Sequence, residues 1–198
     1  MHGLGNDFMI IDARKTVPKI NRNLVQALSN RNFGVGFDQL AVIYRPISLT
    51  ADCFVKFWNC DGSVASTCGN ASRCIADIIL KEKNVLSTIL ETENEKLKCI
   101  KNDNGLISIN MGKPKLYWDE IPLAFECDTL HLPLKGDPVA TNMGNPHCTF
   151  FVDDIKSVNL KNFGQIYEHH KLFPNHTNVQ VAQILNKNSI RVKVWERG

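Results

Sequence analysis

The stretch STCGNASRC, from Ser66 to Cys74, sets a cysteine just ahead of a segment with helical character. Ile75, Ile79 and Leu80 recur at helical spacing, while Asp77, Lys81, Glu82 and Lys83 fall mainly on other faces, so a helix is expected to begin near Asn70. Cys68 would then precede its first turn, where backbone N–H groups lack intrahelical acceptors and the helix dipole favours negative charge. Such a position lowers a thiol pKa and supplies a thiolate, able to take and return a proton. The other cysteines are read differently. Cys53, Cys60, Cys99, Cys127 and Cys148 are taken as small buried hydrophobes, and Cys74, inside the helix, as core. Seven cysteines with no C-x-x-C spacing form neither a disulfide framework nor a zinc ribbon, and no metal site is expected.

The elements that must position this thiol are mostly strands. Alternating apolar runs predict strands at Phe8 to Asp12, Leu40 to Tyr44, Cys53 to Trp58, Ser87 to Thr92, Leu97 to Lys101, Leu106 to Met111, Cys148 to Asp153, Val179 to Leu185 and Ile190 to Glu196. NDNG at Asn102 and NKNS at Asn186 have hairpin-turn chemistry. Helices are expected at Asn23 to Ser29, after Cys68, and at Asn159 to His170, where His169, His170 and Lys171 suit the negative helix end without further function. GKPKLYWDEIPLAF, with two prolines following a strand, divides the chain near Gly112 into halves 1–112 and 113–198.

The two halves repeat one another. GNDFMIID at Gly5 resembles GNPHCTFFVDD at Gly144, 139 residues on, and VKFWNCDG at Val55 resembles VKVWERG at Val192, 137 residues on. The first offset also lays Gln39 against Asn178, each leading into an apolar strand. A duplicated β-rich unit is therefore predicted, with a cleft between pseudo-symmetric halves. Cys68 follows Trp58 by ten residues, so its counterpart would fall near position 205, and the sequence stops at Gly198. Two acid/base groups facing one carbon from opposite sides suit a racemase or epimerase.

Bulk properties are compatible with that chemistry. The 198 residues are 43% hydrophobic, ordinary for a globular chain. Lys and Arg number 23 against 20 Asp and Glu, without a basic block, so no nucleic-acid or membrane partner is expected and a small solute is. No apolar run could span a bilayer, and MHGLGNDFMIID lacks signal-peptide order, which places the expected protein in the cytoplasm. GLG and GVG lack the third glycine of a dinucleotide fingerprint.

HGLGNDF, GVGFDQL, NCDGS, CGNASRC, MGNPH, FPNHTN and WERG, in that order, resemble the diaminopimelate epimerase family along nearly the whole chain. The resemblance implies an α/β fold of two similar halves, each a curled, mainly antiparallel sheet around a central helix. It also implies interconversion of LL- and meso-2,6-diaminopimelate, on the way to lysine and peptidoglycan precursors, with no cofactor and a cysteine from each half moving the proton. Cys68 matches one. The other belongs to a C-G-T/S-G block shortly after E-R-G that this sequence does not reach, so the C-terminal half is expected to be incomplete and the 198-residue chain alone inactive.

By the same resemblance, His147 and Glu196 assist the cysteines. Asn6, Gln39, Asn59, Asn145, Asn178, Glu196 and Arg197 touch substrate, and Gly69 and Asn70 offer backbone N–H groups to the reacting carboxylate. Ala71 stands where many members have glycine, a small-for-small change at a helix start. A homodimer is the assembly the resemblance allows. Two alternatives remain at this level: an isomerase of the same fold acting on another amino acid, such as a proline racemase, or a fragment that binds an amino acid without turning it over.

Overall fold

A computed structural model describes residues 1–65 and 68–197; Ser66, Thr67 and Gly198, which belong to two of the quoted motifs, lie outside that range. The chain divides into two compact units, Met1–Gly112 and Lys113–Gly198. Among the described residues no helix is long and apolar enough to cross a membrane.

The first unit opens with β1 (His2–Gly3) and β2 (Asn6–Asp12), joined by a tight turn in which Leu4 and Gly5 both have positive φ. Helix α1 (Arg22–Ser29) follows, capped by Asn21, whose side chain accepts from the Leu24 amide. Then come β3 (Gln39–Tyr44), β4 (Cys53–Asn59), β5 (Val64–Ala65), helix α2 (Gly69–Lys83), β6 (Ser87–Glu91), β7 (Lys96–Lys101) and β8 (Ile107–Asn110). They form one sheet in the order β1-β2-β3-β4-β6-β7-β8, with β5 paired to β4. Pairing is antiparallel except for β2 with β3 and β4 with β6.

Side chains alternate across a strand, so the register sorts this sheet into two faces. Phe8, Ala41, Ile43, Val55 and Phe57 face Ala71, Cys74, Ile75 and Ile79 of α2, all buried. Leu40, Val42 and Trp58 face the other way, onto Val25 and Leu28 of α1. Helix α2 touches β1 and β8, strands far apart in the sheet order, so the sheet curls around it. Burying each Ile or Leu on α2 contributes about 1.5–3 kcal/mol, which holds the helix start in place. The helix ends at Asn84, left-handed at φ 52°, whose N–H reaches back to the Leu80 and Lys81 carbonyls.

The second unit is built on β9 (Val139–Asn142), β10 (Pro146–Phe151), α3 (Leu160–Glu168), β11 (Asn178–Asn186) and β12 (Ser189–Trp195), with sheet order β12-β11-β10-β9. A short 3-10 turn at Ile155–Ser157 leads into α3, whose cap Asn159 accepts from the Asn162 amide. The buried core joins Ala140, Cys148, Phe150 and Val179 to Leu172, Phe173 and to Ile121, Leu123 and Leu132 of the irregular segment ahead of β9.

The repeat read from the sequence is present as strand register. Phe8 pairs with Gln39 on parallel strands and Leu40 with Trp58 on antiparallel ones; His147 pairs with Asn178 and Val179 with Trp195 in the same two senses. Helices α1 and α3 occupy the same place in the order, each behind an asparagine cap. Both units are mixed α/β with mainly antiparallel sheets.

Candidate active site

In the first unit the candidate residues gather at one end of one sheet face. Asn6 starts β2, Gln39 starts β3 and Asn59 ends β4, all in step with Phe8, Ala41 and Phe57 on the side that packs against α2. Parallel pairing of β2 with β3 and antiparallel pairing of β3 with β4 bring these ends together. At the start of α2, Cys68 is the N-cap residue: its backbone is extended (φ −140°, ψ 104°) and its Sγ accepts from the Ala71 amide at 3.4 Å. A sulfur is a better acceptor as thiolate than as thiol, so an N–H aimed at it favours the charged form. Its carbonyl accepts from Ser72 N at 2.9 Å, which winds the first turn tightly behind it.

The neighbouring cysteines show what burial does instead. Cys53, Cys99 and Cys148 are buried, and loss of hydration pushes each thiol up to about 12. The expectation that Cys60 and Cys127 are buried is corrected: Cys60 is exposed, lying in the turn after β4 beyond the alternating pattern, and Cys127 is half-buried in the irregular segment.

A polar lattice fixes the amides. Gln39 Nε2 donates to Asn59 Oδ1 at 2.9 Å, Asn59 Nδ2 donates to Ser63 Oγ at 3.0 Å, and the Ser63 hydroxyl donates to Asp61 at 2.6 Å. Helix α1 supports this turn through Gln26 and Arg22, both bonded to the Asp61 carbonyl. Gly62, at φ 76°, is required there, because a Cβ would meet Arg22 at 2.5 Å. Among the described residues, Asn6 Oδ1 and Gln39 Oε1 are buried without a hydrogen-bond partner. Two orphaned acceptors, each costing about 1–3 kcal/mol, await a donor. Asn70 lies beside β1, where a Cβ on Gly3 would come within 3.3 Å of it, and its Oδ1 accepts from Arg73.

In the second unit Asn145, His147, Asn178 and Glu196 fall on the corresponding face and end of the sheet. Asn178 is 5% exposed, with Nδ2 donating to the Pro146 carbonyl at 3.1 Å and Oδ1 accepting from Arg197 N at 2.9 Å. It therefore braces β10 against the strand end that carries Arg197. The Arg197 guanidinium donates to the Asn175 carbonyl at 3.0 Å, and Glu196 is exposed directly after β12. His147 Nε2 meets Asn145 Oδ1 at 2.8 Å. Burial pushes its pKa below the ordinary histidine range, and the Arg197 charge acts in the same direction.

The sequence profile of diaminopimelate epimerase matches residues 1–117 and 139–198. Curated relatives of that name from Rhodospirillum centenum and a Wolbachia of Drosophila simulans are 41% and 44% identical over the whole of this chain, which spans 69% and 75% of theirs. The chain belongs to the diaminopimelate epimerase family. Among solved structures, it resembles a hydroxyproline epimerase from Agrobacterium vitis (TM-score 0.61, 13% identity, covering 98% of this chain and 68% of that one) and a Bacillus anthracis protein of the PhzF family (TM-score 0.55, 18% identity, with the same coverage). Those likenesses establish the shared fold. As a diaminopimelate epimerase family member, the chain is an isomerase by class.

Two supports of this candidate site escape a reading by motif. Arg31 donates to Asp7 at 2.8 and 3.0 Å and to Asp38 at 2.8 Å, while Asp7 N donates to Asp38 and Asp38 N to Asp7. This reciprocal clamp ties the residue after Asn6 to the residue before Gln39, and the Arg31 guanidinium holds Asp7 far below the usual carboxylate range. The second is Gln180, whose Nε2 meets His147 Nδ1 at 2.5 Å. A polar side chain in VQVAQIL, in step with Asn178 rather than with the apolar residues between, is the signal that could have found it.

Proposed function

We propose that this chain belongs to an enzyme that interconverts LL- and meso-2,6-diaminopimelate without a cofactor, and that Cys68 is one of its two proton-transfer groups. The observation that carries the reading is the thiol of Cys68 at the head of α2, accepting the Ala71 amide. As thiolate, Cys68 removes the α-hydrogen: the C–H bond breaks, an S–H bond forms, and the electron pair spreads onto the carboxylate. An acid on the opposite face then returns a proton to carbon. The N–H groups opening α2, those of Gly69 and Asn70 among them, suit the charge developing on that carboxylate. The family's relatives, named for diaminopimelate, support the choice of substrate.

A bis-zwitterionic substrate also accounts for the amide-rich character of both candidate sets. The orphaned Asn6 Oδ1 and Gln39 Oε1 accept from an ammonium, and the Arg197 guanidinium suits a carboxylate. His147 and Glu196 are assigned to support of proton transfer, in a cytoplasmic homodimer. Deuterium incorporation at the α-carbon of LL-diaminopimelate, followed by NMR in D2O, tests the reading. The enzyme that contains this chain should exchange and epimerise, and its Cys68→Ala variant should lose both by at least about 1,000-fold, the scale of a removed acid/base group. Exchange by Cys68→Ala at the wild-type rate would refute the assignment.

A further inference from the structure

Helix α3 ends at Glu168, and the chain then folds back onto it. His170 N, Phe173 N and His176 N donate in turn to the carbonyls of Tyr167, His170 and Phe173, and Thr177 N closes on the Glu168 carbonyl at 3.2 Å. These turns set His176 against His169, seven residues earlier: Nδ1 of His169 lies 3.4 Å from Nε2 of His176, with ring centroids 4.3 Å apart and ring planes at 85°. On its other side, His169 Nε2 is 3.7 Å from Glu168 Oε2. Both distances are long for a hydrogen bond, which prefers about 2.7–3.2 Å. Glu168, His169 and His176 can each bring one ligand atom to within 4.8 Å of the other two. Metal bonds of about 2.0–2.1 Å at tetrahedral angles set neighbouring ligand atoms about 3.3–3.4 Å apart, the spacing that the two imidazoles already have. Both rings are exposed, so turning them closes the remaining gap without disturbing the core.

We propose that Glu168, His169 and His176 bind a divalent transition-metal ion of the zinc type, which staples the turns of residues 170–177 to the end of α3. Two imidazoles and one carboxylate are a zinc donor set, with water completing the tetrahedron. The carboxylate is built in: Glu168 is 5% exposed, and the Trp195 indole N–H donates to its Oε2 at 2.7 Å, as an outer partner orients a ligating carboxylate. Its oxygens carry four lone-pair sites between them, so the indole bond leaves room for an ion. The last turn of α3 also presents the negative end of the helix, which favours a cation. His176 sits at φ 59°, uncommon for a residue other than glycine, and a metal bond would offset that strain. The stapled segment supplies the Asn175 carbonyl that accepts from the Arg197 guanidinium and leads into Asn178, so the ion braces these candidate residues from behind. It takes no part in proton transfer. The sequence expectation of no metal site rests on cysteine spacing, which is blind to these three ligands.

The test measures zinc on the enzyme that contains this chain and on its His176→Asn and His169→Gln variants. Asparagine accepts the left-handed backbone, so His176→Asn removes the ligand and keeps the turn. After stripping with EDTA and dialysis against about 10 µM free Zn2+ at pH 7.5, the wild type should hold one zinc ion per chain more than either variant. Zinc on thiols is common to all three proteins and cancels. Equal zinc in the wild type and either variant would overturn the proposal. Saturating zinc should also raise the melting temperature of the wild type by about 5 °C or more relative to both variants, and an equal rise in all three would overturn the staple. A third measurement needs no variant: added zinc should shift the imidazole NMR signals of His169 and His176 in the wild type and leave that of His131 in place. Signals of His169 and His176 that do not move would overturn the proposal whatever the variants do. None of these readouts is catalytic, so a failure of the epimerase reading leaves the metal site standing, and the reverse holds as well.

Discussion

Gly164, in the middle of α3, lies under the indole of Trp195, the last residue of β12. A Cβ built there would meet Trp195 Cγ at 2.2 Å and Cδ2 at 2.5 Å. Ordinary carbon contacts lie near 3.5–4.0 Å, so Gly164→Ala must displace the ring by more than about 1 Å. The ring is not at liberty to move. Its Nε1 donates to Glu168 Oε2 at 2.7 Å, and Glu168 is 5% exposed. Alanine gains about 1 kcal/mol over glycine in a helix interior. Against that stand about 1–3 kcal/mol of overpacking and about 1.5–3 kcal/mol for the bond to a carboxylate. The net expectation is a loss of roughly 2–4 kcal/mol, read as a drop of about 1–2 M in the urea midpoint. Adding Trp195→Leu to Gly164→Ala should recover stability, although Trp195→Leu alone should lower it. A Gly164→Ala protein as stable as the wild type, or more so, would refute the reasoning.

Iodoacetamide at pH 7 should modify Cys68 and Cys60 in minutes and leave Cys53, Cys99 and Cys148 intact, since a thiol near 12 is ionised to only about 1 part in 100,000; mass spectrometry of peptides checks this. Arg31→Met opens the clamp between Asp7 and Asp38 and should raise KM several-fold with a smaller change in kcat, as expected of a residue that sets the spacing of Asn6 and Gln39 without touching substrate. Asp12, held at about 2 by Arg14, and Asp7, held lower still, contribute stability that is full above their unfolded value near 4 and is lost as pH falls through the folded one. Thermal melts from pH 5 to 2 should show that decline, and Arg14→Met should flatten it.

Among the described residues, nine of the twelve strands and all three α-helices were legible, because each carries enough apolar residues at a fixed period to reveal its buried face. The three strands without a sequence signal, β1, β5 and β9, are two to four residues long, too short to show a period. The NDNG and NKNS turns were legible from turn chemistry, and Asn102–Gly105 and Asn186–Ser189 do close hairpins. The irregular stretch ahead of β9 was not, since Ile121, Leu123 and Leu132 are buried by turns with no period to read. At the candidate site, Cys68 announced itself by its place before a helix. Arg31 did not: it sits 24 residues from one partner and 7 from the other, and a surface arginine looks alike whether or not it bridges strands.

A chain that carries one pairing register twice has more than one way to assemble it. While folding, β10 could lie beside β3, or β2 beside β11, with every backbone bond satisfied, because the ladders are interchangeable. What separates the outcomes is the side chain at each rung. In the crossed pairing Ala41 would replace Gln180 as the diagonal neighbour of His147, which forfeits the bond between them at about 1–3 kcal/mol, and Gln180 would replace Ala41 as the diagonal neighbour of Phe8. The bond between Gln180 and His147 thus also works as a sorting label that sends each strand to its own half. A Gln180→Ala chain, which places here the alanine that the first unit carries at the equivalent position 41, should refold with a larger mispaired fraction.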